Sequence, residues 1–307
     1  MRVYYQGEDV TKYVHVNLCE HETFAERKAD SLRIRFVDSK GVWNSWGPCS
    51  GDVIRITEDA ADTGRMFVKA VLPENGLIAF YATSMPPTGN IRKNRTWENF
   101  RLLEIGSDIA AEHGLSFVSY GVTDQIYTYI CQENVNDFDF YQLRCLIEGC
   151  AMVIYDNSLV VYDERQKEAE AATTTIKIGV DGVFSFMDGS VNAYHSAEVP
   201  FGDYIGVAYD DNVDNARVLR PKSTIECSSR EESLRFARGI LRYANKNQYT
   251  GYFIRKMTCD FAAGSIFNLT AEKCSAWNGR ALITRTRTDY VKGSTKIFFR
   301  RINLEGY

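Results

Sequence analysis

Four histidines, eight cysteines and a few carboxylate pairs are the residues of this sequence that could bind a metal or move a proton. His15 and His21 stand six apart, which is neither the i, i+4 pair of a helical metal site nor a same-face pair of one short ladder. They read as surface or hydrogen-bonded core residues, and His113 and His195 stand alone. Cys145 and Cys150 lie five apart across a predicted helix end, and no Cys-x-x-Cys occurs, so zinc and thioredoxin-like chemistry lack their spacing. The Asp137/Asp139 and Asp210/Asp211 pairs offer the two carboxylates that glycoside hydrolysis needs, but such pairs are commonplace in loops. Gly293-Ser294-Thr295-Lys296 reverses the order of a phosphate loop, and neither a Gly-x-Ser-x-Gly elbow nor a His-Glu-x-x-His helix is present. No catalytic, cofactor-binding or metal-ligating residue is assigned, and no cofactor is expected.

The composition points the same way. Lys plus Arg (36) against Asp plus Glu (40) leaves a formal net charge of −4, so no global basic excess draws the chain to nucleic acid. Arg235, Arg238 and Arg242 make a local stripe on a predicted helix, read as a solvated face or as a surface for an acidic partner. The 18 Tyr and 17 Phe are spread along predicted strands, which suits β cores and subunit interfaces better than base stacking. The most apolar stretches, Ala151 to Tyr155 and Leu159 to Tyr162, are strand-sized, so no membrane crossing is expected. Charge arrives within the first nine residues, so no secretory signal is read there. The Asn94-Arg95-Thr96 and Asn268-Leu269-Thr270 sequons then carry no weight, and all eight cysteines are expected as free, mostly buried thiols of a reducing cytosol.

The elements that position these residues are mainly strands. Leu32, Ile34 and Phe36 alternate with Arg33 and Arg35, the pattern of a half-buried strand, and Val53 to Ile56, Met66 to Leu72 and Leu77 to Ala82 continue it. Turns fall at Asp62-Thr63-Gly64 and Glu74-Asn75-Gly76. Pro86-Pro87 ends the pattern. Thr96 is predicted to cap a helix with apolar positions Leu102, Ile105, Ile109 and Ala110, ended by Gly114. A second helix is predicted from Asp137, as cap, to Glu148, followed by a hairpin turning at Asp156-Asn157-Ser158. Residues 164–171 hold little that could be buried and read as an exposed linker or frayed helix. Beyond them strands resume, interrupted by a helix with a Ser229/Glu232 capping box and buried positions Leu234, Ala237, Leu241 and Ala244.

Asp30 to Ile34, Val42-Trp43-Asn44-Ser45-Trp46-Gly47-Pro48 and Gly51 to Ile56 stand in the first β region, and Lys93-Asn94-Arg95-Thr96-Trp97, Asn136-Asp137-Phe138-Asp139-Phe140, Ser229 to Asn245 and Trp277-Asn278-Gly279 follow in order. Taken together, these stretches resemble the baseplate hub proteins of contractile phage tails and phage-derived bacteriocins, the late control protein D group, the first three its opening barrel. The resemblance implies a mainly β fold with an α+β insertion and two tube-like antiparallel β barrels, each able to pack a helix. The domains would be 1–88, the first barrel; 89–163, the insertion; 164–171, a linker; and 172–307, the second barrel with a helix near 229–246. It implies a structural baseplate protein rather than an enzyme, joining a hexameric tail tube to a trimeric central spike as a homotrimer, with other baseplate proteins as partners. Membrane and specific nucleic-acid binding are not implied, and assembly would take place in the bacterial cytoplasm. The readings set against it are a cell-wall-degrading tail enzyme and a carbohydrate-binding β module.

Overall fold

The computed structural model describes residues 1–27, 29–179, 182–221 and 225–302. The chain is mainly β. In the N-terminal half, Leu32, Ile34 and Phe36 point into the core while Arg33 and Arg35 point away, as the alternation requires. Six main strands build this half: β1 Arg2–Tyr5, β2 His15–Phe24, β3 Ser31–Val37, β4 Val53–Glu58, β5 Met66–Glu74 and β6 Leu77–Thr83, with the two-residue strands Glu8–Asp9 and Ala61–Asp62 added beside β1 and β4. Their spatial order is β2-β3-β6-β5-β4-β1, antiparallel throughout. A short helix, α1 Val42–Trp46, drops Trp43 onto Phe36 and Phe80, at ring-centre distances of 4.6 and 4.7 Å. This aromatic cluster centres the first core.

The C-terminal half repeats the plan. Its strands are β7 Thr174–Ile178, β8 Phe184–Asp188, β9 Tyr249–Lys256, β10 Ile266–Ala271, β11 Gly279–Asp289 and β12 Ser294–Arg301. Their order is β8-β9-β12-β11-β10-β7, the N-terminal order with six added to each label. Five of the six strands also keep their antiparallel relations, and only β7 differs, running parallel to β10. One bulge corresponds as well: the β5/β6 register slips between Val68 and Ala70, and the β11/β12 register between Ile283 and Arg285. Phe253, Phe267, Ile297 and Phe299 fill the second core.

The two halves are not separate sheets. Strand β11 pairs with β2, so both halves belong to one fourteen-stranded sheet, and among the described residues no pairing closes either half into a ring. The expected two barrels are therefore seen as two sheet halves with separate cores and a shared seam.

Between the halves lies a unit with its own core, built on a three-stranded sheet, a ribbon of Arg92–Arg101 with Ile126–Asn136, and the helices α2 Leu102–Glu112 and α3 Asp137–Ile147. Gly114 follows α2 at φ 68°, the left-handed conformation expected of the residue that ends it. The caps differ from the sequence reading. Thr96 lies inside the ribbon, and α2 is capped five residues later by Arg101, whose backbone N–H donates to Glu104. For α3 the cap is Asn136, whose Oδ1 accepts from Asp139 N at 2.8 Å.

The helix expected to pack on the second β half also lies elsewhere. This helix, α5 Arg230–Asn245, and the hairpin Ser196–Phe201/Tyr204–Tyr209 bury Ala197, Val199, Phe236, Ala237, Ile240 and Leu241 in the central core. Leu234 and Ala244 are only half-buried, because α5 is covered on two sides, by α3 and by the hairpin. Gly239 makes the α3 contact possible: a Cβ there would stand 2.1 Å from the carbonyl oxygen of Ile147.

Candidate assembly interface

The seam between the halves is built from β2 and β11. Arg285, Thr286, Arg287, Thr288 and Asp289 face Phe24, Thr23, Glu22, His21 and Glu20. Main-chain bonds from Ala25 N to Thr284 O and from Tyr290 N to Cys19 O, both 2.9 Å, bracket it. On the outer face Arg287 is ion-paired with Glu22, and Arg285 lies 3.8 Å from the same carboxylate. Arg285 also lies 3.7 Å from the centre of the Phe298 ring, and Lys296 lies 3.4 Å from that of Tyr252. On the inner face the hydroxyls of Thr23 and Thr286 are 2.7 Å apart.

Beneath this inner face is a cleft of about 600 Å³ lined by His21, Thr23, Thr286, Tyr155, Tyr162 and Tyr290 among others. Burial pushes the His21 imidazole down to about 4, and its Nε2 has no hydrogen-bond partner. Asp30, also on the lining, is driven by burial up to about 7, against the hydrogen bond that Phe24 N donates to its Oδ1. Both groups are neutral over a common range of pH, as a poorly hydrated wall demands.

The sheet has free edges. On the side of β5 away from β6, Met66 and Phe67 pair with β4 and Val68 bonds Gly51 and Asp52 just before it, so the stretch from Lys69 to Glu74 is open there among the described residues. Among the described residues strand β8 pairs only with β9 and is open on its other side. Each open edge presents a large apolar side chain, Leu72 at 40% and Met187 at 60% exposure.

A buried ion cluster locks the central unit to both halves. The supposed linker is the short helix α4 Glu164–Ala169, and its Glu164 and Glu168 are buried rather than exposed. Arg242 Nε meets Glu164 Oε2 at 3.3 Å and Arg242 Nη2 meets Glu168 Oε2 at 2.7 Å. Arg300 on β12 pairs with Glu168, and Lys246 pairs with both Glu164 and Glu26. Burial opposes ionisation of Glu164, but Lys246, Arg300 and Arg242 outweigh it and hold the carboxyl down at about 2.

The residues singled out from the sequence are dispersed. His15 is exposed and His21 buried, on one strand. Asp137 has no exposed side-chain surface and binds Lys93 at 2.6 Å, Arg95 at 2.9 Å, His113 at 2.9 Å and Gln132 at 2.8 Å. His113 Nδ1 is 2.7 Å from Thr88 Oγ1, giving a Thr–His–Asp chain whose carboxylate is already shared among three other donors. Asp139 serves the α3 cap, Asp210 accepts from Asn245, and Asp211 is exposed, so neither acidic pair acts as two facing carboxylates. His195 bonds Val213 O. Of the arginine stripe only Arg238 is exposed; Arg235 is bidentate to Glu148 at 2.6 and 3.1 Å, and Arg242 belongs to the cluster. All eight cysteines are free, but only Cys19, Cys145 and Cys150 are buried, fewer than expected. No described helix is long and apolar enough to cross a membrane, and no group of three or more potential metal ligands occurs among the described residues.

No protein-family model and no curated protein matches the chain. Solved structures do. The 43 kDa tail protein of prophage MuSo2 from Shewanella oneidensis matches at a TM-score of 0.78 with 8% identity, covering 98% of this chain and 97% of that one. The tail protein from Neisseria meningitidis MC58 matches at 0.77 with 11% identity, covering 99% and 96%. The Escherichia coli c3393 protein, a type VI secretion component that exhibits structural similarity to the T4 bacteriophage tail proteins gp27 and gp5, matches at 0.63 with 12% identity, covering 100% and 79%. The chain has the fold of phage tail proteins.

Proposed function

We propose that the chain is the structural hub of a contractile tail baseplate, in a phage or a phage-derived bacteriocin. On this reading it works as a homotrimer, joins the hexameric tail tube to the trimeric central spike and contacts other baseplate proteins. The observation that carries the reading is the repeated strand order of the two halves. Three chains, each with two like halves, present six similar surfaces to a hexameric tube while keeping three-fold symmetry for a spike. End-to-end likeness to tail proteins supports the same role. The proposed units are two tube-like β domains, 1–88 and 172–307, around the insertion at 89–163, with α5 and its hairpin packed onto that insertion. The part is structural rather than enzymatic, and it is assembled in the bacterial cytoplasm.

Co-expression with the tube and spike proteins of the same particle tests the reading. The expected product is a complex with three copies of this chain per spike, and a zymogram on peptidoglycan without clearing. Any other stoichiometry, or failure to hold both partners, sinks the hub; a clearing band would make it a cell-wall-degrading enzyme.

A further inference from the structure

We infer that the open edge of β5 takes strand β8 of a second copy of this chain, repeating between chains the seam that β11 and β2 make within one. The inference rests on the homotrimer reading above. Pairing registers fix which residues meet. The bulge after Val68 in β5 matches the bulge after Ile283 in β11, so Ala70 stands where Arg285 stands and Leu72 where Arg287 stands. Crossing the N-terminal half from Ala70 leads through Tyr81 and Arg33 to Glu20. Crossing the C-terminal half from Arg285 leads through Phe298 and Tyr252 to Ser185. Ser185 thus matches Glu20, and Met187 matches Glu22.

Within the chain Arg287 faces Glu22. Between chains Leu72 therefore faces Met187 of the second copy. Among the described residues these are the large apolar side chains exposed within β5 and β8, so the salt bridge of the internal seam is replaced by an apolar pair that buries both. The two edges differ, so copies add head to tail and are confined to a closed ring only if the rotation closes.

Pro73 sets the strength of this contact. The bonds at Thr284 and Tyr290 place the main-chain groups of alternate residues, Thr288 included, toward β2. Pro73 stands where Thr288 stands and has no N–H, so the seam between chains makes one hydrogen bond fewer than the seam within. The ring is accordingly weaker than the chain and forms with concentration or on the spike.

A cysteine pair tests the register. Positions 72 and 187 fall in a non-hydrogen-bonded pair, where Cα atoms are about 4.5 Å apart, within disulfide reach. The exposed thiols are first removed as Cys49→Ser and Cys259→Ser. Leu72→Cys with Met187→Cys, oxidised mildly both as concentrated protein and in the spike complex, should give a covalent ladder that ends at three chains. Leu72→Cys with Val191→Cys, also at an exposed position, should give none. Far-ultraviolet circular dichroism checks that each variant is folded. Monomer alone in both samples, or an equal ladder from both pairs, overturns the seam. A ladder with a copy number other than three keeps the seam and removes the homotrimer, while three copies per spike without a ladder does the reverse.

Discussion

Lys246 Nζ lies 2.5 Å from Glu164 Oε1 with both side chains buried, an ion pair closed between residues 82 positions apart in sequence. It joins the end of α5 to the start of α4, and Arg242, Glu168 and Arg300 extend it to the last strand of the sheet. The central unit and both sheet halves thus meet at charges that are buried from solvent.

Removing one partner leaves the others buried and uncompensated, so Glu164→Ala should lower stability by about 3–5 kcal/mol, far beyond a surface salt bridge. Chemical denaturation of the variant against wild type measures it. The pH dependence has a defined sign: the Glu164 carboxyl is held below its ordinary 4.5, at about 2, so its contribution is complete above about 4.5 and is lost as pH falls toward 2. Glu26, raised by burial, works in the opposite direction and offsets part of the effect.

Asp30 gives a gain rather than a loss. Its carboxyl is raised to about 7 from an ordinary 3.8, so the stability it allows is full below 3.8 and is lost as pH rises through 7. Asp30→Asn keeps an acceptor for Phe24 N and cannot ionise. Thermal melts should show the variant more stable than wild type at pH 8.5, with the difference shrinking at pH 5.

For His21 the slope runs the other way. Burial lowers its pKa from 6.5 to about 4, so its contribution is present above 6.5 and is lost as pH falls toward 4. His21→Gln, which does not titrate, should flatten the stability profile between those values, and an unchanged profile would remove the buried neutral imidazole from the account.

Gly239→Ala places a methyl group against the Ile147 carbonyl, where no flexible side chain can yield. The gain in helix propensity of about 1 kcal/mol is expected to be outweighed by overpacking, for a net loss of about 1–2 kcal/mol in urea denaturation. A stabilised variant would mean that α5 and α3 do not approach as described.

Thiol labelling without reductant should find eight reactive groups after denaturation. In the native protein Cys49 and Cys259 should react first and Cys19, Cys145 and Cys150 last, since burial raises the Cys19 thiol to about 12 and the other two further.

The sequence by itself determined what is local. Alternation placed Leu32, Ile34 and Phe36 inward, Gly114 ended its helix, and Ser229 caps α5 by accepting from Glu232 N at 3.1 Å. Each of these is settled by residues a few positions apart, through periodicity, a left-handed backbone or a reach of one turn. The tertiary structure alone decided which strand lies beside which. Alternation says which face of β2 is buried but not that β11 will flank it, nor that the two halves will adopt one strand order. It also decided the fate of the charges. Glu164, Glu168, Arg235 and Arg242 read as solvated surface because the partners that bury them lie far away in sequence, 78 residues for Arg242 and Glu164 and 132 for Glu168 and Arg300, and a buried charge is tolerated only once the fold brings its counter-charge within reach.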